Sequence, residues 1–141
     1  MKDDYHAVLQ LLRLNTPQYF AKEEEDDFAL YLKGRKECYF VVLFQQNVVG
    51  CGGINFVENT TTARISWDIF HPDYQRKNLG SRLLYYRLDI IKGMNSIQKI
   101  QVRTSQLAYG FYEKHGFETF EIILDYWSKG IDLYNMKMKD Y

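Results

Sequence analysis

Ile69-Phe70-His71-Pro72-Asp73-Tyr74-Gln75-Arg76-Lys77-Asn78-Leu79-Gly80-Ser81-Arg82-Leu83-Leu84 decides how this chain is read. It starts as the apolar end of a strand, turns at Pro72, crosses a basic loop and enters a helix with leucines at helical spacing. Pro72 stiffens the exit from the strand. The first turn of the helix carries N–H groups that have no acceptor inside it. Arg76, Lys77 and Arg82 gather cationic charge around the same spot. Asn78 stands where the backbone needs a positive φ, which Asn tolerates better than most side chains. Gly80 lets a ligand approach with no Cβ in the way. Such a turn suits a phosphorylated ligand, and an ordinary basic loop capping a surface helix fits the same residues. It lacks the Gly-Lys-Ser/Thr of a nucleotide P-loop, and it lacks the spaced glycines and later acid of a dinucleotide site.

Working outward, Cys38 to Phe44 is almost wholly apolar and predicts a buried strand. Gln45-Gln46-Asn47 turns, Val48 to Val57 forms a second strand, and Ala63 to Phe70 a third, after a turn over Glu58 to Thr62. These three strands are expected as an antiparallel meander. Gly50, Gly52 and Gly53 signal a bulge or a close backbone approach. Before them, Asp3 or Asp4 is placed to cap a helix whose apolar face is Tyr5, Val8, Leu9 and Leu12, ending at Thr16-Pro17. The acidic run Glu23 to Asp27 opens a second helix that packs through Phe28, Tyr31 and Leu32 and stops at Gly34. Beyond the basic loop, Leu79, Leu83, Leu84, Leu88 and Ile91 share one helical face, closed by Gly93. A strand over Ile97 to Val102 follows. Ser105 then caps a short helix that ends at Gly116, and two strands, Phe117 to Trp127 and Ile131 to Met138, finish the chain. The order is that of a mixed α/β sandwich. No repeat or linker divides it, so one domain over 1–141 is expected.

Composition narrows the partners. Hydrophobic residues form 46% of the 141, enough to bury a core. Lys plus Arg equals Asp plus Glu at 18 each, so overall charge argues against a nucleic-acid partner. No apolar run approaches a membrane span and no signal-peptide core follows Met1, so no membrane partner is expected. Cys38 and Cys51 lack metal-ligand spacing, which fits a cytoplasmic protein with two reduced thiols and no metal. Aromatic residues reach 16%, and the surplus over a core is available to line a cleft.

A second segment, Ala108-Tyr109-Gly110-Phe111-Tyr112-Glu113-Lys114-His115-Gly116-Phe117, is a short helix, a glycine cap and a strand start. Two readings of Tyr112 stand: a phenol that gives its proton to a leaving thiolate, or an amphipathic packing residue.

Together the two segments resemble the GNAT family of N-acetyltransferases, which move an acetyl group from acetyl-CoA to an amine. Phe70-His71-Pro72-Asp73-Tyr74-Gln75-Arg76-Lys77-Asn78-Leu79-Gly80 matches the family's Val-x-Pro-x-x-Gln/Arg-x-x-Gly-x-Gly/Ala loop, with Asn78 in place of its first glycine. Ala108 to Phe117 matches its Ala-x-x-Leu/Phe-Tyr-x-Lys-x-Gly-Phe segment at each key position. The order of elements agrees along the whole chain. The resemblance implies a GNAT-like α/β (α+β) fold, with a mixed, mostly antiparallel central sheet flanked by helices. Because the chain opens almost directly on a helix, the family's first strand is expected to be short or absent.

For the site, the resemblance implies that backbone groups of Ile69 and Phe70 pair with the pantetheine arm. It implies that Gln75, Arg76, Lys77, Asn78, Leu79, Gly80, Ser81 and Arg82 hold the pyrophosphate, through main-chain N–H groups above all. Ser105 stands where the family often has an Asn toward the cofactor. Tyr112 meets the departing CoA sulfur. The glutamate that serves some members as general base is replaced by Arg64, and the acid on the following strand of N-terminal acetyltransferases, including the ribosomal-protein type, by Gln101. Asp68 shares strand parity with Arg64 and Phe70, which leaves it as a base acting through water, as a partner in a cross-sheet ion pair, or as neither, with the proton leaving along a water chain. Tyr126-Trp127 offers an aromatic lip to a peptide or a small-molecule amine. The expected activity is direct transfer in a ternary complex, with no acyl-cysteine step. The alternatives are an acetyl-CoA-binding module without catalysis and a phosphate- or RNA-binding α/β protein. An unpaired edge left by the missing strand would favour a homodimer.

Overall fold

Alternation of period gives the element order. The computed structural model describes residues 4–16, 20, 22, 24–34, 38–74 and 78–139. Two helices, α1 (Tyr5–Leu14) and α2 (Glu24–Gly34), precede three strands, β1 (Tyr39–Phe44), β2 (Asn47–Phe56) and β3 (Thr62–Phe70). A 3-10 turn over Pro72–Tyr74 leads toward α3 (Leu79–Lys92), followed by β4 (Lys99–Thr104), α4 (Tyr109–Lys114), β5 (Phe117–Ser128) and β6 (Ile131–Met138). The strands form one sheet in the order β1-β2-β3-β4-β6-β5. The β1/β2, β4/β6 and β5/β6 pairs are antiparallel, and β3/β4 is parallel over four residue pairs, Thr62↔Lys99 to Ile65↔Val102. Among the described residues α1 is the first element.

Backbone contacts divide the chain into two compact units, Met1–Ile54 with Trp67–Ile90, and Asn55–Ser66 with Ile91–Tyr141. In the first, α1 contributes Val8, Leu9, Leu11 and Leu12 to a buried cluster, α2 contributes Phe28 and Leu32, and the strands contribute Tyr39, Cys51 and Ile69. Each such side chain is worth about 1.5–3 kcal/mol on burial. An aromatic group thickens this core: Phe28 and Trp67 lie 4.8 Å apart between ring centres, and Tyr31 meets Tyr39 edge-on at 5.6 Å. In the second unit, Ala63 and Ile65 of β3, Ile100 and Val102 of β4, Phe117 of β5, and Leu133 and Met136 of β6 are buried. Tyr109 of α4 stacks on Tyr134 of β6 at 4.7 Å.

Three local expectations need correction. The all-apolar β1 is an edge strand, not a buried one, and Leu43 is 60% exposed; an apolar run cannot report how many neighbours a strand has. Asp4 occupies the N-cap of α1 but makes no side-chain cap bond, and Asp3 lies outside the described residues. Ser105 caps a turn, its Oγ accepting from the Leu107 amide at 3.2 Å, while Ala108 is the N-cap of α4. The glycines of β2 mark close approaches as expected: a Cβ on Gly50 would meet the Phe70 ring, and one on Gly52 the Asp68–Arg87 pair.

Candidate functional site

The described residues on either side of the basic loop's centre are held by backbone hydrogen bonds. β3 ends with the His71 amide donating to the Val49 carbonyl at 2.8 Å. The Tyr74 amide closes the proline turn on the His71 carbonyl at 2.9 Å, and the Asp73 amide donates to His71 Nδ1 at 3.1 Å. Gln75, Arg76 and Lys77 lie outside the described residues. Asn78 takes φ +61°, the left-handed conformation expected of it. Its carbonyl accepts from the Arg82 amide at 3.1 Å, the first turn of α3. Leu79 is buried and anchors that turn, whereas Asn78 and Arg82 are exposed. Helix geometry gives the Leu79 and Gly80 amides no acceptor within α3, and among the described residues neither donates to a backbone carbonyl elsewhere. In general, the start of a helix with a left-handed residue before it suits anionic oxygen.

Where β3 meets this loop, its two faces do different work. Ile69 and Trp67 enter the α1–α2 core. Asp68 and Phe70 face the other way, Phe70 with its ring over Gly50 and Asp68 toward α3. Trp67 has φ +52°, inside the strand. A left-handed residue there marks a bulge, so the simple alternation that gave Arg64, Asp68 and Phe70 one parity does not run through it. The Trp67 carbonyl accepts from the Tyr39 hydroxyl at 2.8 Å, and its ring is held among Phe20, Phe28 and Tyr31. The Phe70 carbonyl accepts from Asn15 Nδ2 at 2.9 Å, and Asn15, buried at the end of α1, also donates to the Leu11 carbonyl at 2.8 Å. That uses one acceptor position of the Phe70 carbonyl.

Asp68 is engaged. Arg87 Nη1 and Nη2 reach its two carboxylate oxygens at 2.5 and 2.9 Å. The Arg87 side chain is fully buried, and the same guanidinium donates to the Gly53 carbonyl at 3.1 Å and to the Leu83 carbonyl at 3.3 Å. A forked guanidinium with four N–H groups engaged, two of them on a carboxylate, is an arrangement in which a buried cation is tolerable. Of the roles open to Asp68 from sequence, the ion pair is the one its contacts fill. Cys51 lies in the same core; burial pushes its thiol up to about 12, which holds it protonated and unreactive. Cys38 and Cys51 are both free thiols.

The second unit carries Tyr112, Ser105, Arg64, Gln101, Arg103 and the aromatic lip. Tyr112 is 5% exposed on α4, with its ring edge-on to Phe111 at 5.1 Å and to Phe117 at 5.9 Å. The structure therefore gives it the packing contacts of one reading without removing the other. Burial, then Lys114, lowers the pKa of His115, which follows α4. Arg64 of β3 pairs with Gln101 of β4, and Arg103 lies two residues further along β4, on the same face. The Arg103 guanidinium sits 5.0 Å from the Tyr126 ring centre and 5.8 Å from that of Trp127. Trp127 is fixed by its indole N–H, which donates to the Thr104 carbonyl at 3.1 Å. Arg64 Nε is buried and has no hydrogen-bond partner, and burial together with Arg103 lowers the pKa of its guanidinium. Sequence reasoning noted Arg64 and the aromatic pair separately; it missed Arg103, Asn15 and Arg87. Among the described residues no group of three His, Cys, Asp or Glu is placed to hold a metal ion, and no helix is long and apolar enough to cross a membrane.

Comparison with known proteins gives a consistent picture. The profile of the Acetyltransferase (GNAT) family matches residues 5–117. The Cysteine-rich protein 2-binding protein of Mus musculus is 27% identical over 99 residues, 70% of this chain and 12% of the relative. The chain thus spans about an eighth of that curated relative's length. Ard1 from Thermoplasma volcanium superposes with a TM-score of 0.80 at 19% identity, covering 97% of this chain and 91% of that one. An aminoglycoside 6′-N-acetyltransferase complexed with coenzyme A superposes with a TM-score of 0.76 at 14% identity, covering 94% and 88%. At these identities the two structures speak for the fold.

Proposed function

The chain belongs to the GNAT acetyltransferase family, and on that premise we propose that it transfers the acetyl group of acetyl-CoA directly to a primary amine in a ternary complex. The observation that carries the reading is the start of α3. There, left-handed Asn78 precedes a helix whose Leu79 and Gly80 amides, among the described residues, donate to no backbone carbonyl outside it, and Gly80 adds no side chain. Asn78, Leu79 and Gly80 offer main-chain donors to a diphosphate, Ser81 is assigned to the same group, and Arg82 adds charge at the rim. Gln75, Arg76 and Lys77, next to them in sequence, are assigned the same task. Ile69 and Phe70 offer a strand edge to the pantetheine arm, with the Phe70 carbonyl shared with Asn15. Ser105 is assigned to the same ligand.

In this reading the neutral amine attacks the thioester carbonyl, a C–N bond forms, and the C–S bond breaks as the tetrahedral adduct collapses. A strand N–H near Phe70 polarises the carbonyl oxygen. Tyr112 donates its proton to the departing sulfur. Asp68 enters as a positioning residue rather than as the base, because Arg87 holds both of its oxygens; the ammonium proton leaves to solvent. Cys51, with its thiol pushed up to about 12, gives no support to an acyl-cysteine route. Two free thiols accord with a reducing, cytoplasmic setting.

The test is twofold. Acetyl-CoA should raise the melting temperature in a concentration-dependent way, and a panel of amines should release free CoA thiol. Stabilisation without turnover for any amine would leave a binding module; neither response would refute the assignment.

A further inference from the structure

The second unit carries a cationic cluster that the transfer chemistry above does not use. Arg64 and Arg103 share one face of the parallel β3/β4 pair. Like charges brought together this way are costly unless something anionic lies between them. Among the described residues neither guanidinium has a carboxylate within ion-pairing distance. Two strands from Arg103, Glu121 accepts from Asn135 Nδ2 at 2.7 Å, and Asn135 is the β6 partner of Arg103. Arg64 Nε is buried with no hydrogen-bond partner. Arg103 is held over Tyr126 and Trp127, cation–π contacts that engage the guanidinium without consuming its N–H donors. Gln101, beside Arg64, adds a neutral amide.

We propose that Arg64 and Arg103, walled by Tyr126 and Trp127, form an oxyanion subsite that binds a carboxylate carried by the amine acceptor. The inference rests on the transferase reading and names the class of acceptor: an amino carboxylate, such as an amino acid or a peptide with a free or side-chain carboxylate. Two planar forks suit a planar carboxylate, and the aromatic wall suits the carbon skeleton joined to it. A plain ammonium would meet two unneutralised guanidiniums and be repelled. With its carboxylate seated, the same field lowers the pKa of the ammonium, and the neutral nucleophile forms without a dedicated carboxylate base.

The experiment uses the full chain and matched probes: phenylalanine with phenethylamine, histidine with histamine, and phosphoethanolamine with ethanolamine as the phosphate arm. CoA release gives kcat/KM for each, and calorimetry gives affinity independently of turnover. At least one amino carboxylate should exceed its decarboxylated partner by about tenfold or more, as expected for charge-assisted hydrogen bonds. Arg103→Gln and Arg64→Gln should each abolish most of that ratio through KM, while the thermal shift with acetyl-CoA persists. Equal rates and affinities within every pair would overturn the subsite and leave the transferase reading intact. A larger preference within the phosphate pair would overturn the carboxylate assignment. If acetyl-CoA neither binds nor turns over, the transferase reading fails. The subsite is then judged by calorimetry alone: carboxylate-dependent affinity lost in Arg103→Gln sustains it, and no such affinity overturns it.

Discussion

Replacing Asp68 by Asn separates the two roles that its sequence position left open. The substitution keeps the shape and removes one charge. Arg87 then stays fully buried with its cation uncompensated, retaining the Gly53 and Leu83 carbonyls as neutral acceptors. Breaking one side of a buried pair costs about 3–5 kcal/mol. Because the Asp68 side chain is 14% exposed, the lower end of that range applies. A total stability of about 5–15 kcal/mol makes this a large loss, and for a chain of this size it lowers the melting temperature by roughly 10 °C or more. Urea unfolding followed by circular dichroism measures it. The double variant Asp68→Leu with Arg87→Met should recover most of the loss, since replacing both charges by apolar groups is near neutral. Turnover of Asp68→Asn, assayed well below its melting point, should fall only modestly and keep its pH profile. A stability change under about 1 kcal/mol, with kcat down by two orders of magnitude and an acidic limb missing from the pH profile, would refute the positioning role and make Asp68 the base.

The remaining predictions concern other elements. Tyr112→Phe should lower kcat by about tenfold or more with little change in the KM for acetyl-CoA, measured by thiol release; unchanged turnover would leave Tyr112 as a packing residue. Asn78→Gly should keep the acetyl-CoA thermal shift, whereas Asn78→Val, which disfavours φ +61°, should weaken it and cost about 1–2 kcal/mol of stability. Cys51 should resist thiol reagents in the folded protein, while Cys38, half-buried, reacts more readily. The folded Cys51 thiol stands at about 12 against an ordinary 9, so its contribution to stability is complete below pH 9 and is lost as pH rises toward 12. Tyr39, raised well above 10 by burial, acts in the same direction. Denaturant midpoints across the alkaline range should fall, and a flat profile would contradict the burial of both groups.

Much of this arrangement was legible in the residues. Asn78 announced its left-handed backbone because few side chains tolerate one, and the leucine spacing after it marked α3. The two helices before the sheet followed from the period of their apolar residues. The site was less legible where its chemistry depends on long-range pairing. Arg87 lies nineteen residues from Asp68, inside a leucine stripe where an arginine reads as an interruption. Only the approach of α3 to Gly52 turns the two into a pair. Arg64 and Arg103 become neighbours through the parallel register of β3 and β4, which no local pattern encodes. The bulge at Trp67 has no glycine to announce it, because aromatic packing rather than a small side chain sustains its φ.

The chain's two tryptophans fall one to each compact unit. Trp67 is ringed by Phe28 and Tyr31 at 4.8 and 6.2 Å, and Trp127 lies under the Arg103 guanidinium at 5.8 Å. The molecule therefore carries an intrinsic optical probe at each place of interest. Emission from a Trp67→Phe variant comes from Trp127 alone and registers whatever displaces the cation above it. A Trp127→Phe variant leaves a fluorophore that reports on the helical core beside β3. Fluorescence titration of the two single-tryptophan proteins would follow the units separately, with no label attached.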